Sequence, residues 1–259
     1  MKNKIIPWLE GIAGIVLLLI IWYIASVTGI FGRVSIRASQ LLLPLPSKVF
    51  HTIYEMVVSG YLLRNLGVSL LRVLKGFILA VVIGIPIAIF MGLSQHFHDF
   101  INPLFRFISP IPGVAWVPLA ILWFGLGDKA AIFIITMGSL SPIITNTLQG
   151  VQDVDPILMQ ALETMGATRW QMITKCVLPS IIPYIATGFR LGLGFAWRVL
   201  IAAELVGVPN GIGYVLSVGR STGQTDITIV TIICLGVMMI IMDEFLFNPL
   251  EKLTKNWRA

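Results

Sequence analysis

Apolar runs of about twenty residues recur along the whole sequence, and few folds can accommodate them. A helix of about 20 apolar residues spans the hydrocarbon core of a bilayer. With 57% hydrophobic and 12% charged residues among 259, the chain has too little polar surface to cover a soluble core. We therefore predict an all-α integral membrane protein with about six transmembrane helices. The predicted spans are 11–30, 72–93, 101–126, 130–148, 182–208 and 227–247.

The charged residues indicate membrane orientation rather than a polyanionic partner. The net charge is +6, but the cations gather beside apolar runs, as at Lys2, Lys4, Lys252, Lys255 and Arg258, and form no basic stripe. We therefore predict contact with the lipid bilayer and none with nucleic acid.

The chain divides at about residue 64. Residues 1–64 are expected to form an N-terminal membrane anchor and an external amphipathic segment, in which Ser47 caps a short helix that ends at Gly60. An uncleaved anchor is favoured over a signal peptide, because the first run is long and no clear cleavage site ends it. Residues 65–259 are expected to form the core. Six crossings place both termini on one side, and the cations near the last run favour the cytoplasm.

A polar insert follows the fourth span. Asp155 and Pro156 are typical of a helix N-cap and first turn. Gly166 can adopt the left-handed conformation that ends a helix, and Thr168 with Gln171 forms a capping box that begins another. We predict helix, glycine elbow and helix within a loop at 150–180. The apolar stripe of the first helix comprises Ile157, Leu158, Ala161, Leu162 and Met165.

The insert QALETMGATRWQMITKCVLP resembles the cytoplasmic signature of bacterial ATP-binding-cassette (ABC) importer permeases, E-A-A-x-x-x-G followed by I-x-L-P. Four positions match, namely Ala161, Gly166, Leu178 and Pro179. Three depart from the pattern, namely Gln160, Leu162 and Cys176. Segments 70–77, 109–133 and 146–156 are similar to the permease branch that serves sulfonates, taurine, nitrate and bicarbonate. Without these segments, an ordinary surface helix between two spans would explain the insert.

The resemblance implies a type I importer permease fold and a set of partners. These are an ABC ATPase subunit in two copies, which holds ATP and Mg²⁺, a second permease copy or a homologue, and a periplasmic or lipid-anchored solute-binding protein at the cell inner membrane. The sequence contains no G-x-x-x-x-G-K-[ST] motif, so we predict that this chain is not an enzyme and binds no cofactor. The expected ATPase-coupling residues are Gln160, Ala161, Glu163, Gly166, Arg169, Leu178 and Pro179.

A transport path is expected near a proline break and near charges within the fifth span. Pro110 and Pro112 interrupt the third span, which either lines a path or only kinks for packing. A charge at the bilayer centre costs ~2.5 to 3.5 kcal/mol, so Arg198 is expected to face the bundle interior. There it either contacts an oxyanion or, as the favoured alternative, forms a structural ion pair with Glu204 or with another helix. The candidate path residues are Pro112, Trp116, Trp197, Arg198 and Glu204.

The sequence predicts neither a metal site nor an active site. His51, His96 and His98 lack ligand partners at useful spacing, and Cys176 and Cys234 are isolated. The predicted function is ATP-driven import of a small solute. The positive charge and Arg198 favour an oxyanion such as a sulfonate, taurine, nitrate or bicarbonate. A pyrimidine or another nitrogenous nutrient is the alternative. A secondary transporter is less favoured, because it would not need the Gly166 elbow.

Overall fold

The computed structural model describes residues 5–28 and 40–247, and within these ranges its regular structure is entirely helical. The first helices are α1 (Ile5–Thr28), α2 (Pro46–Val58), α3 (Tyr61–Leu93), α4 (Gln95–Ile108), α5 (Val117–Phe124) and α6 (Asp128–Gln152). The later ones are α7 (Pro156–Thr164), α8 (Arg169–Met172), α9 (Leu178–Gly207), α10 (Ile212–Ser221) and α11 (Thr225–Met242). The expected all-α fold is confirmed.

The number of membrane spans agrees with the sequence. Five helical runs among the described residues are long and apolar enough to cross a bilayer, and α4 with α5 makes a sixth if the pair counts as one span. That pair is bent by 89°. The third predicted span, 101–126, is therefore two helices, because the prolines at 110 and 112 cannot continue the hydrogen-bond ladder of α4.

The core forms where α3, α6 and α9 pack together. Fully buried side chains from each meet there, among them Val73, Ile135 and Leu200. A hydrogen bond from the Thr136 hydroxyl to the Gly76 carbonyl, 3.1 Å long, also joins α6 to α3. This central trio is the rigid body that carries the other helices.

The N-terminal helices lie at the edge of the bundle. Most described apolar side chains of α1 are exposed, so this helix must face lipid or another protein. Its polar contacts include Trp22 Nε1 to the Pro44 carbonyl at 3.0 Å. The expectation that Ser47 caps α2 is wrong: the helix begins at Pro46 after Leu45, because proline suits the first helical position. Gly60, with φ 72°, separates α2 from α3 as expected.

The bundle has two functionally different ends. The α7 and α8 insert lies between the end of α6 and the start of α9. At the opposite end lie the start of α6 and the loop between α9 and α10.

Candidate functional site

The insert has the predicted helix, elbow and helix. Asp155 caps α7 by accepting a hydrogen bond from the Ile157 N–H at 2.8 Å. Gly166 then adopts φ +76°, a conformation that a β-branched residue resists. Thr168 and Gln171 form the reciprocal capping box that begins α8. These local contacts fix the direction of both short helices.

The apolar face of the insert is uncovered. Met165 is 82% exposed and Trp170 is 72% exposed, and Ile157 and Leu158 are also exposed. A cluster of large apolar side chains at the tip of a loop marks a contact site for another protein. Glu163 and Arg169 lie exposed on the same insert and form no ion pair within the described part of the chain.

The base of the insert is anchored to the spanning helices. Met159 and Leu178 pack against a buried cluster of Val151, Val177 and Ile181, which joins α6, α7 and the start of α9. A π-helical turn at Ile173–Val177 links α8 to α9 without a break. The remaining coupling candidates, Gln160 and Ala161, are exposed, and Pro179 is half-buried. The insert is therefore packed firmly against the ends of α6 and α9 that it connects.

A cavity of about 380 Å³ lies where the prolines separate α4 from α5. The break packs tightly on its neighbours, since a Cβ at Gly113 would lie 2.8 Å from Val199 and 3.2 Å from Gly138. Two serines line the cavity, Ser109 at the end of α4 and Ser141 on α6, and their hydroxyl oxygens are 2.5 Å apart. Every other described residue that lines the cavity is apolar or a glycine. Pro112, one of the candidate path residues, is among them.

Arg198 lies on an exposed face of α9 and is not itself among the residues that line the cavity. Phe195, about one turn before it on the same side of the helix, and Val199, the next residue in sequence, both line the cavity. The Arg198 guanidinium lies 5.7 Å from the Phe195 ring centroid. The side chain is exposed roughly two and a half turns before α9 ends at Gly207. A lipid-facing charge there would cost ~2.5 to 3.5 kcal/mol. This face of α9 therefore requires water or a second protein.

The favoured expectation that Arg198 forms a structural ion pair is wrong, because among the described residues it pairs neither with Glu204 nor with a carboxylate of another helix. Arg198 and Glu204 are six positions apart, which places them about 120° apart around the helix. Glu204 instead pairs with Arg72 of α3, with 2.7 Å between Arg72 Nη1 and Glu204 Oε1. Both side chains are buried. Arg72 also contacts Asp128, at the start of α6, through Nε and Nη2 at 2.8 and 2.7 Å.

The same buried cluster binds the loop between α9 and α10. Arg72 donates to the carbonyl and the side-chain oxygen of Asn210, and the carbonyl contact measures 2.9 Å. Glu204 accepts hydrogen bonds at 2.8 Å from the Ser69 hydroxyl and from the Gly213 N–H. Asn65 Oδ1 accepts from the Gly211 N–H at 2.8 Å. The cluster thus joins α3, α6, α9 and α10 at the end opposite to the insert.

The two tryptophans named for the path are packing residues in this conformation. Trp197 is 3% exposed and donates its indole N–H to the Leu235 carbonyl at 3.2 Å. Trp116 is half-buried and packs edge-on against Phe133. Neither residue lines the cavity, and the buried Glu204 also faces no open space.

Two of the charge pairs are not evident from the sequence pattern alone. Arg72 stands at the start of a predicted span, and an arginine inside an apolar run signals a buried partner. Arg190 of α9 pairs with Asp243, which follows α11, at 3.0 Å. Within residues 5–28 and 40–247, no group of three His, Cys, Asp or Glu side chains could hold a metal ion.

Comparison with known proteins gives a family match over residues 80–247, to the binding-protein-dependent transport system inner membrane component. A putative ABC transporter permease of Methanocaldococcus jannaschii is 37% identical over 76% of this chain and 74% of its own length. The putative aliphatic sulfonates transport permease protein of Bacillus subtilis is 32% identical, covering 97% and 88%. The bicarbonate transport system permease protein of Synechococcus elongatus is 33% identical, covering 94% and 88%.

A solved structure shares the fold. The methionine ABC transporter MetNI, in an inward-facing conformation, matches with a TM-score of 0.65 at 18% identity. The match covers 74% of this chain and 95% of the transporter chain.

Proposed function

Because this chain belongs to the family of inner membrane components of binding-protein-dependent transport systems, we propose that it carries a small oxyanion across the cell inner membrane. Within that family it lies in the type I branch, with the sulfonate, taurine and bicarbonate permeases. It acts as the permease subunit of an ABC importer. A separate ATPase supplies the energy, and a solute-binding protein delivers the solute.

The observation that carries this proposal is the uncovered apolar face on the insert. A surface that holds both Met165 and Trp170 open to solvent needs a partner that buries it. The Gly166 elbow and the capping box keep this surface stiff. A cleft on the ATPase receives it, and Glu163 and Arg169 lie at the polar rim of that contact.

The proposed orientation places the insert and both termini in the cytoplasm. Six crossings return the chain to the side on which it began, and Arg169 and Lys175 beside the insert agree with the positive-inside rule. The buried cluster around Arg72 and Glu204 then lies towards the outer face. Two permease copies and two ATPase copies form the complete importer.

Transport follows from rigid-body motion. When the two ATPase subunits close on ATP, the insert moves with them, and the anchored base passes that motion to α6 and α9. The packed trio of α3, α6 and α9 moves as a unit, so the path opens alternately to either side.

Arg198 supports an oxyanion as the solute. Its guanidinium offers paired N–H donors that match the oxygens of a sulfonate, nitrate or bicarbonate. Its exposed position in the middle of α9 suits the water-filled space between two permease copies.

Reconstitution tests the proposal. The permease, its ATPase and its solute-binding protein are placed in proteoliposomes, and ATP-driven uptake of taurine, an alkanesulfonate, nitrate, bicarbonate and cytosine is measured. We expect uptake of at least one oxyanion, dependent on ATP and on the binding protein. Uptake of cytosine alone would support the nitrogenous-nutrient alternative. Uptake without the ATPase would support a secondary transporter.

A further inference from the structure

The cavity at the proline break contains more polar chemistry than packing alone requires. Among the described residues, its only polar lining side chains are those of Ser109 and Ser141, whose hydroxyl oxygens lie 2.5 Å apart across the boundary between α4 and α6. Both residues are half-buried. A cavity of about 380 Å³ is within the range that small-molecule sites occupy.

The serine pair has one hydroxyl donor that its mutual hydrogen bond does not use. Each hydroxyl carries one donor hydrogen, and their mutual hydrogen bond uses only one of the two. Within the described part of the chain, neither serine hydroxyl bonds another acceptor, whereas nearby Ser139 donates to the Ile135 carbonyl at 2.8 Å. The second hydroxyl can therefore turn and donate to an acceptor inside the cavity.

Arg198 places a positive charge against Phe195, one of the residues that line the cavity. It lies on α9 between two lining residues, Phe195 and Val199, and its guanidinium stands over the Phe195 ring. The carboxylate nearest in sequence on α9, Glu204, is occupied by Arg72 and lies on a different face. No ion pair neutralises Arg198 within the described residues.

We propose that this cavity is a transit site for the oxyanion within the membrane. The spare serine hydroxyl donates to one oxygen, and Arg198 attracts the charge from the mouth. The proline break and Phe195 form an apolar wall for a short alkyl group. The inference rests on the proposed function for the identity of the solute, but its chemistry, a water-accessible cavity selective for anions, can be measured separately.

The experiment measures access and charge at the serine pair. In the complete transporter with Cys176 and Cys234 replaced by alanine, Ser141→Cys is treated with two thiol reagents of similar size. These are the anionic methanethiosulfonate ethylsulfonate and its cationic trimethylammonium counterpart. The rate at which each reagent modifies the cysteine is divided by the rate at which the same reagent reacts with 2-mercaptoethanol in solution. Ser139→Cys, on the same helix but fully buried, is the matched control.

We expect Ser141→Cys to react and to prefer the anionic reagent by roughly 10-fold, because a positive charge nearby raises the local concentration of anions. Adding Arg198→Met should abolish that preference. The oxyanion that the wild-type transporter carries should slow the reaction at millimolar concentration, whereas sodium chloride at equal ionic strength should not. Ser139→Cys should stay unmodified.

Three results would overturn the transit site. The first is that neither Ser141→Cys nor Ser109→Cys is modified in an assembled complex. The second is that the preference for the anionic reagent survives Arg198→Met. The third is that the transported oxyanion does not slow the modification. Ser109→Cys approaches the cavity from α4 and replaces Ser141→Cys if that variant does not assemble. Failure of the proposed function has a different signature: the wild-type proteoliposomes take up none of the oxyanions, whatever the labelling shows.

Discussion

Replacing Arg72 by methionine leaves the Glu204 carboxylate buried without its counter-charge. The Glu204 side chain is 0% exposed and that of Arg72 is 3% exposed, so water cannot take the place of the guanidinium. Loss of one partner from a buried ion pair costs ~3 to 5 kcal/mol. The Ser69 hydroxyl and the Gly213 N–H remain as donors to Glu204, but neither carries a charge. We expect Arg72→Met to lower the free energy of unfolding by that amount.

A second substitution should restore much of the lost stability. Glu204→Gln removes the buried charge while retaining a carbonyl oxygen for the neighbouring donors. The double variant, Arg72→Met with Glu204→Gln, is therefore expected to be ~2 kcal/mol more stable than the sum of the single changes implies. Asp128, which loses the same arginine, has a side chain that is 60% exposed and stays hydrated.

The assay is equilibrium unfolding of the purified protein in mixed micelles with increasing sodium dodecyl sulfate. The matched control is Arg190→Met, which breaks an ion pair whose side chains are 43% and 42% exposed. Such a pair contributes only ~0 to 1 kcal/mol. The reasoning is refuted if Arg72→Met costs no more than Arg190→Met, or if the double variant is no more stable than Arg72→Met alone.

The remaining predictions concern transport. Gly166→Val should stop ATP-driven uptake while the protein still inserts into the membrane, because valine resists a φ of +76°. The control is Gly67→Val on α3, where an added side chain meets open space, and this variant should retain uptake. Glu163→Ala should keep most ATPase co-purification, since one exposed charge contributes ~0 to 1 kcal/mol; complete loss would contradict this. The isolated chain should neither bind nor hydrolyse ATP, and turnover by it would refute the assignment. Arg198→Lys should weaken oxyanion uptake and Arg198→Met should stop it. Unfolding should change by no more than ~1 kcal/mol, because within the described residues Arg198 forms no ion pair and its guanidinium contacts the Phe195 ring. Unchanged uptake would remove Arg198 from the path.

The insert could be predicted in detail because its structure depends on neighbours in sequence. Asp155 caps a residue two positions away, and Thr168 and Gln171 cap each other across three. The positive φ of Gly166 follows from the need to end one helix before another begins. Each of these contacts lies within a single turn of chain, so the residue types alone specify it.

The partner of Glu204 could not be predicted in the same way. The sequence offered Arg198, six positions away, and helical geometry alone could have excluded that pair. It could not have selected Arg72, 132 positions away, because that contact exists only after α3 packs against α9. The same holds for Ser109 and Ser141, which the bend between α4 and α5 brings to one cavity.

The apolar runs and the helix caps of the insert were therefore determined by the sequence, because the bilayer demands internally bonded helices and caps act over one turn. Which charges pair and where a cavity opens were decided by the tertiary structure. Those properties depend on which faces of α3, α6 and α9 meet, and on an 89° bend whose direction two prolines permit but do not specify. A buried charge is stable only beside a partner that tertiary packing brings into contact with it, so the tertiary structure decides its role.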